Sequence, residues 1–149
     1  MEQKTLNKVA ICGKFDPIHD GHIDHIIKAS KLGDYLIVIT HSDDIVAKTS
    51  KKGICYIPLQ ARKLILEGLL LVLNIDGEVV VAEPLDDDGT VKNTIRKLKP
   101  DVLAKGGDRT HSNMPTSELV ACAEIGCDVV YGVGDLLNSS SRIIQGEVK

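Results

Sequence analysis

Tyr35-Leu36-Ile37-Val38-Ile39-Thr40 carries no charged side chain and four large aliphatic ones in a row. A strand with one wet face alternates apolar and polar residues. An unbroken run has to be covered on both faces, as a strand inside a parallel sheet is. Val9-Ala10-Ile11-Cys12 reads the same way, and strands are also expected over 78–82, 101–105 and 127–131. Helical patterns fall between them: 21–32, closed by Gly33; 58–73, opened by Pro58; 90–98, ended by Lys99-Pro100; 115–126; and 142–147. Ser42-Asp43-Asp44 adds a helix-start signal in the polar stretch 41–53.

Strand and helix therefore alternate five times. The expected fold is α/β: a Rossmann-like, doubly wound, five-stranded parallel sheet with helices on both faces. A chain of 149 residues suits one domain. With one Phe, three Tyr and no Trp, its core has to be built from Ile, Leu and Val. A net charge of −3 argues against a nucleic-acid partner, and an apolar run such as 69–73 is far too short to span a bilayer. The start, Met-Glu-Gln-Lys-Thr, has no apolar leader, and Cys12, Cys55, Cys122 and Cys127 form no C-x-x-C pair. Reduced thiols in a cytoplasmic protein are expected.

In a doubly wound sheet the ligand sits beyond the carboxyl ends of the strands. The loops there are 13–22, 41–53, 82–90, 106–116 and 132–141, and they hold nearly all the unusual polar residues. The first, Gly13-Lys14-Phe15-Asp16-Pro17-Ile18-His19-Asp20-Gly21-His22, joins a strand to a helix start, where unpaired N–H groups favour an anion. His19 and His22 would add hydrogen-bond or proton chemistry to that anion. With His25 one turn further on, the same spacing also admits a metal centre. Lys48, Lys51 and Lys52 are either a solvated face or phosphate contacts. Arg62 is either a phosphate fork or one half of a helix-surface salt bridge. Ser139-Ser140-Ser141 would cap the last helix.

The string G-x-F-D-x-x-H-x-G-H resembles the signature of the cytidylyltransferase-like nucleotidyltransferases, and the resemblance runs through nearly the whole chain. Lys105-Gly106-Gly107-Asp108 is similar to the K-G-G-D of the ADP-heptose-type adenylyltransferases. The resemblance implies that a phosphorylated sugar, polyol or other small molecule attacks the α-phosphate of ATP or CTP, and that pyrophosphate leaves. It implies catalytic roles for His19 and His22. Nucleotide or phosphate contacts follow for Gly13, Lys14, Phe15, Lys48, Lys51, Lys52, Arg62, Lys105, Gly106, Gly107, Asp108, Ser139, Ser140 and Ser141. Asp16 and Arg109 are expected at the acceptor. Mg²⁺ would come with the triphosphate, and a homodimer is expected. Lys14 departs from the family, which often has Thr or Val there. Two other readings stay open: a catalytically silent nucleotide-binding regulatory domain, and a metal-dependent hydrolase using His19, His22 and His25.

Overall fold

The computed structural model describes residues 7–107 and 109–134. Five parallel strands form one sheet in the order β3-β2-β1-β4-β5. They are β1 (Lys8–Cys12), β2 (Tyr35–Thr40), β3 (Gly77–Val81), β4 (Val102–Ala104) and β5 (Asp128–Val130). The helices between them are α1 (Asp20–Ser30), α2 (Asp43–Thr49), α3 (Leu59–Val72), α4 (Lys92–Leu98) and α5 (Thr116–Ile125), with a short 3₁₀ turn over His111–Asn113. The expected final helix, and Asp108 and Ser139 to Ser141 with it, lie outside the described residues.

The apolar run that suggested a doubly covered strand is one. All of β2 after Tyr35 is buried. Its alternate residues divide between two cores. Leu36 and Val38, with Val9 and Ile11 of β1, meet Ile26 and Ala29 of α1 and Leu66 and Leu70 of α3. Ile37 and Ile39, with Ala10 of β1 and Leu103 of β4, meet Ile95 of α4 and Ala121 and Cys122 of α5. The period of two that sorts strand side chains to opposite faces thus also sorts the helices into two layers.

Element boundaries differ from the expected ones where a cap or a close approach intervenes. Ser42 does start a helix, accepting the Ile45 N–H at 3.4 Å, but α2 is only seven residues long. Helix α4 begins at Lys92 rather than at 90. Asp86, well upstream, accepts the N–H groups of Asn93 and Thr94, at 2.8 and 2.9 Å, and the Thr94 hydroxyl. Strand β3 begins at Gly77, where an added Cβ would run into the Leu36 carbonyl. All four cysteines are free thiols, and no described helix is long and apolar enough to cross a membrane.

The strand order reverses between β1 and β4. The chain leaving β1 crosses toward β2, and the chain leaving β4 crosses toward β5. A crevice opens at such a switch point. It brings the 13–22 loop and the 105–107 segment side by side.

Candidate active site

Strand β1 keeps its sheet bond one residue past its end, with Gly13 N–H donating to Ile39 at 3.0 Å. Phe15 then takes a left-handed φ of 55° and turns its ring into the core. A Cβ on Gly13 would stand 3.1 Å from that ring, so only glycine fits over it without a shift. The ring meets His22 edge-on, with centroids 4.8 Å apart. The Phe15 ring is therefore a support beneath the histidines, which leaves only the backbone of this residue for the nucleotide contact expected of it.

His19 is the N-cap of α1, with extended backbone. Its Nδ1 accepts the Gly21 N–H at 3.1 Å, and His22 Nδ1 accepts the His19 N–H at 3.2 Å. This is a capping box, normally built from Ser or Thr and Glu, made here from two imidazoles. The rings stack at 3.8 Å. With both Nδ1 atoms accepting, each neutral ring carries its proton on Nε2. Burial pulls the pKa of His19 down, partly offset by Asp20. Burial, then the neighbouring His19 and His25, brings His22 to about 3. At neutral pH the pair thus offers two N–H donors and no net charge.

His25 does not join them as a metal ligand. Its Nδ1 donates to the Val133 carbonyl, tying α1 to the segment after β5, and a Cβ on Gly134 would stand 3.1 Å from His25 Cα. Among the described residues no group of three or more His, Cys, Asp or Glu side chains could hold a metal ion. The metal-hydrolase reading therefore has no site in this part of the chain.

Three further expectations are corrected by what their side chains bind. Arg62 is 0 % exposed. Its Nε donates to Ile57 O at 2.8 Å. Nη1 donates to Lys14 O at 3.1 Å and Thr40 Oγ1 at 2.8 Å, and Nη2 to Asp43 Oδ1 at 2.8 Å. It is neither a phosphate fork nor a surface salt bridge but a buried brace between the loops after β1 and β2. Asp16 is buried too and accepts from Tyr56 N–H at 2.9 Å and Ile57 N–H at 2.6 Å, which holds the 54–57 segment rather than an acceptor. Lys105 is buried, with Nζ 3.0 Å from Glu118 Oε1 and 3.2 Å from Cys12 Sγ. Burial alone would lower its pKa, but the neighbouring Cys12 and Glu118 outweigh burial and hold it above the ordinary lysine value. It braces β1, β4 and α5 and is not an open phosphate contact.

Other residues stay at the crevice. Lys14 is half-buried and donates to Thr49 O at 2.8 Å, and among the described residues it forms no salt bridge. Burial lowers its pKa, partly offset by Asp16. Lys48, in the last turn of α2, and Lys51 and Lys52, just after it, are exposed. Gly106 and Gly107 follow β4 one residue on, after Lys105. Arg109 is exposed and donates to Asn113 O at 2.7 Å, within its own turn. No role was expected of His41. It directly follows β2, is 3 % exposed, and its Nδ1 has no partner among the described residues. Burial lowers its pKa, with Asp86 and the Gly89 backbone partly offsetting. A histidine directly after the most apolar strand, at the edge where the ligand loops begin, was the available signal.

Known proteins resemble this chain in sequence and in fold. The family model described as cytidylyltransferase-like matches residues 10–145. A bifunctional protein HldE of Hahella chejuensis is 35 % identical over 108 residues, which is 72 % of this chain and 21 % of that protein. An FAD synthase of Ferroglobus placidus is 36 % identical over 104 residues, 70 % of this chain and 61 % of that one. The chain thus spans about a fifth of the first relative's length and under two thirds of the second's. In fold, the chain is similar to a lipopolysaccharide core biosynthesis protein of Thermoplasma volcanium. The TM-score is 0.67 at 23 % identity, over 87 % of this chain and 98 % of that one.

Two measurements check the site's construction. Arg62→Met keeps bulk but removes a charged donor from Ile57 O, Lys14 O, Thr40 Oγ1 and Asp43 Oδ1 at once, so urea denaturation should show a loss of about 3 kcal/mol. A near-neutral change would deny the brace. Between about pH 6.5 and about 3 the unfolded chain protonates the His22 ring while the folded chain does not. Its contribution is therefore complete above about 6.5 and is lost as pH falls through that window, with His19 and His41 acting in the same direction. The thermal midpoint should drop from pH 7.5 to 5, and His22→Asn should make that slope shallower.

Proposed function

The chain belongs to the cytidylyltransferase-like family, and from that premise we propose that it joins a nucleoside triphosphate to a phosphorylated sugar, polyol or similar small molecule and releases pyrophosphate. The observation that carries this reading is the reciprocal imidazole cap, which presents two Nε2–H donors at a helix N-terminus. An acceptor phosphate oxygen attacks the α-phosphorus, a new P–O bond forms, and the bond from the α-phosphorus to the bridging oxygen breaks. Charge builds on the α-phosphate oxygens as this happens. His19 and His22 stabilise it, aided by the α1 N-terminus. Reactions of this kind need positioning and charge neutralisation more than covalent help from the protein.

Lys14 has a distinct part in this scheme. The two histidines are neutral, Arg62 is paired with Asp43, and Lys105 with Glu118. Lys14 is then the half-buried cation of the 13–22 loop that forms no salt bridge among the described residues, and it holds the acceptor's phosphate. Lys48, Lys51 and Lys52 line the exit for pyrophosphate, and Gly106 and Gly107 let the nucleotide approach the backbone. Asp108 and Ser139 to Ser141 complete the nucleotide site on the family resemblance. ATP is favoured over CTP on the K-G-G-D resemblance, and the FAD synthase among the relatives supports this, since FAD contains an adenylyl half. Mg²⁺ belongs to the triphosphate: the described residues offer no set of ligands for it, and phosphate oxygens and water suffice. Free thiols support a cytoplasmic setting.

Pyrophosphate release, measured over four nucleotides and a panel of sugar, polyol and other small-molecule phosphates, tests the reading. Nucleotide binding without turnover on any acceptor would favour the silent regulatory domain. His19→Ala and His22→Ala should each lower kcat by roughly a hundredfold or more with little change in nucleotide affinity. Near-normal turnover in both would overturn the mechanism. Lys14→Thr should raise KM for the acceptor about tenfold and leave kcat and the nucleotide KM nearly unchanged, as removal of one charge-assisted contact does.

A further inference from the structure

His41 stands where β2 ends, at the edge of the sheet where the ligand loops gather, and its side chain is buried. Burial lowers its pKa, so at neutral pH one ring nitrogen carries a hydrogen and the other a lone pair. The Gly89 carbonyl meets the ring, and Nδ1 has no partner among the described residues, so that contact belongs to Nε2–H. Nδ1 is left as a buried acceptor to which nothing donates. The described donors around it are committed elsewhere. Glu83 N–H goes to Thr94 Oγ1, Val91 N–H to Glu118, the N–H groups of Asn93 and Thr94 to Asp86, and Lys14 Nζ to Thr49 O. Leaving a buried acceptor unmet is destabilising, and such atoms are rare in folded chains.

Lys14 connects this atom to the site. Its carbonyl accepts from the Oγ1 of Thr40, the residue before His41, at 3.3 Å. Its Nζ is held by Thr49, and Gly89 rests on the same threonine: a Cβ there would stand 3.1 Å from Thr49 Cγ2. The turn that covers the His41 ring and the carbonyl that holds Lys14 thus meet at one residue. A ligand whose phosphate draws Lys14 off Thr49 reaches His41 by moving that turn aside. We propose that His41 is a specificity-determining residue for the acceptor, its Nδ1 taking a hydrogen bond from an acceptor hydroxyl. This rests on the nucleotidyl-transfer reading and narrows it. A lone pair has nothing to offer a phosphate oxygen, so the phosphate stays with Lys14, and the acceptor brings a hydroxyl as well, as sugar and polyol phosphates do.

Pyrophosphate release and calorimetric binding by the full chain test this, with glycerol phosphate and mannose phosphate as hydroxylated probes and propyl phosphate as the probe without a hydroxyl. In the wild type, kcat/KM should favour the better hydroxylated probe at least tenfold. His41→Leu should bring that preference to about one by raising KM for the hydroxylated probe, with the nucleotide KM nearly unchanged. His41→Asn, whose side-chain oxygen falls at about the place of Nδ1, should restore most of it. His41→Phe keeps a ring without the acceptor and repeats the test if the leucine variant does not fold. A preference that survives the loss of the imidazole overturns the proposal, as does a wild type that uses propyl phosphate equally well. If the wild type releases no pyrophosphate with any probe, the nucleotidyl-transfer reading falls and binding judges His41 alone. The same tenfold preference in Kd, lost in His41→Leu, then supports the contact, and its absence overturns it.

Discussion

A guanidinium cannot shed its charge inside a protein, and it brings five donors in a fixed plane. Burying Arg62 fully therefore obliges the surrounding backbone to supply acceptors. Lys14 from the loop after β1, Thr40 at the end of β2, Asp43 at the start of α2 and Ile57 before α3 all do so. Four segments that could otherwise move independently are thus fixed to one another at the carboxyl edge of the sheet. Asp16 adds to this by holding the N–H groups of Tyr56 and Ile57, and Asp43 by accepting from Leu59. On the other side of β1, Lys105 and Glu118 tie β4 to α5 against Cys12. The crevice is bounded on both sides by a buried cation paired with a carboxylate, Arg62 with Asp43 and Lys105 with Glu118, so its geometry is set before any ligand arrives.

Within that frame the first turn of α1 meets two demands with one pair of residues. A helix start needs acceptors for its free N–H groups, and an anion site needs donors. Serine and glutamate would meet the first demand and defeat the second, because a glutamate would repel the anion. An imidazole meets both, accepting through one nitrogen and donating through the other. Phe15 beneath His22, and Gly13 above the Phe15 ring, hold the pair in place.

Much of this was legible in the sequence, and what was not had a common cause. The run 35–40 announced a doubly covered strand, and the strand–helix alternation put the right loops at one edge. The H-x-G-H spacing announced the helix start. The misreadings concern which polar groups are free to meet a ligand. Arg62 reaches Lys14 O across 48 positions of sequence, and Asp16 reaches Ile57 across 41. No local pattern records such partnerships, so Arg62, Asp16 and Lys105 read as ligand contacts when each is a brace. The late start of α4 has a similar origin, since its cap comes from Asp86, outside the helix. Phe15 misled in another way: inside a polar motif it read as a contact with ligand, and its left-handed backbone turns it inward instead.

The imidazole cap also limits what the two histidines can do. A proton added to either ring would have to go to Nδ1, and that lone pair is already holding a backbone N–H of the helix. Taking up the proton would replace an attractive contact with two hydrogens facing each other, so the helix start and the charged ring exclude one another. The pair can hand hydrogen bonds outward, but it is a poor relay for moving protons between solvent and substrate. A nucleophile that arrives already deprotonated, as a phosphate monoester does at neutral pH and an alcohol does not, would ask nothing more of these two rings.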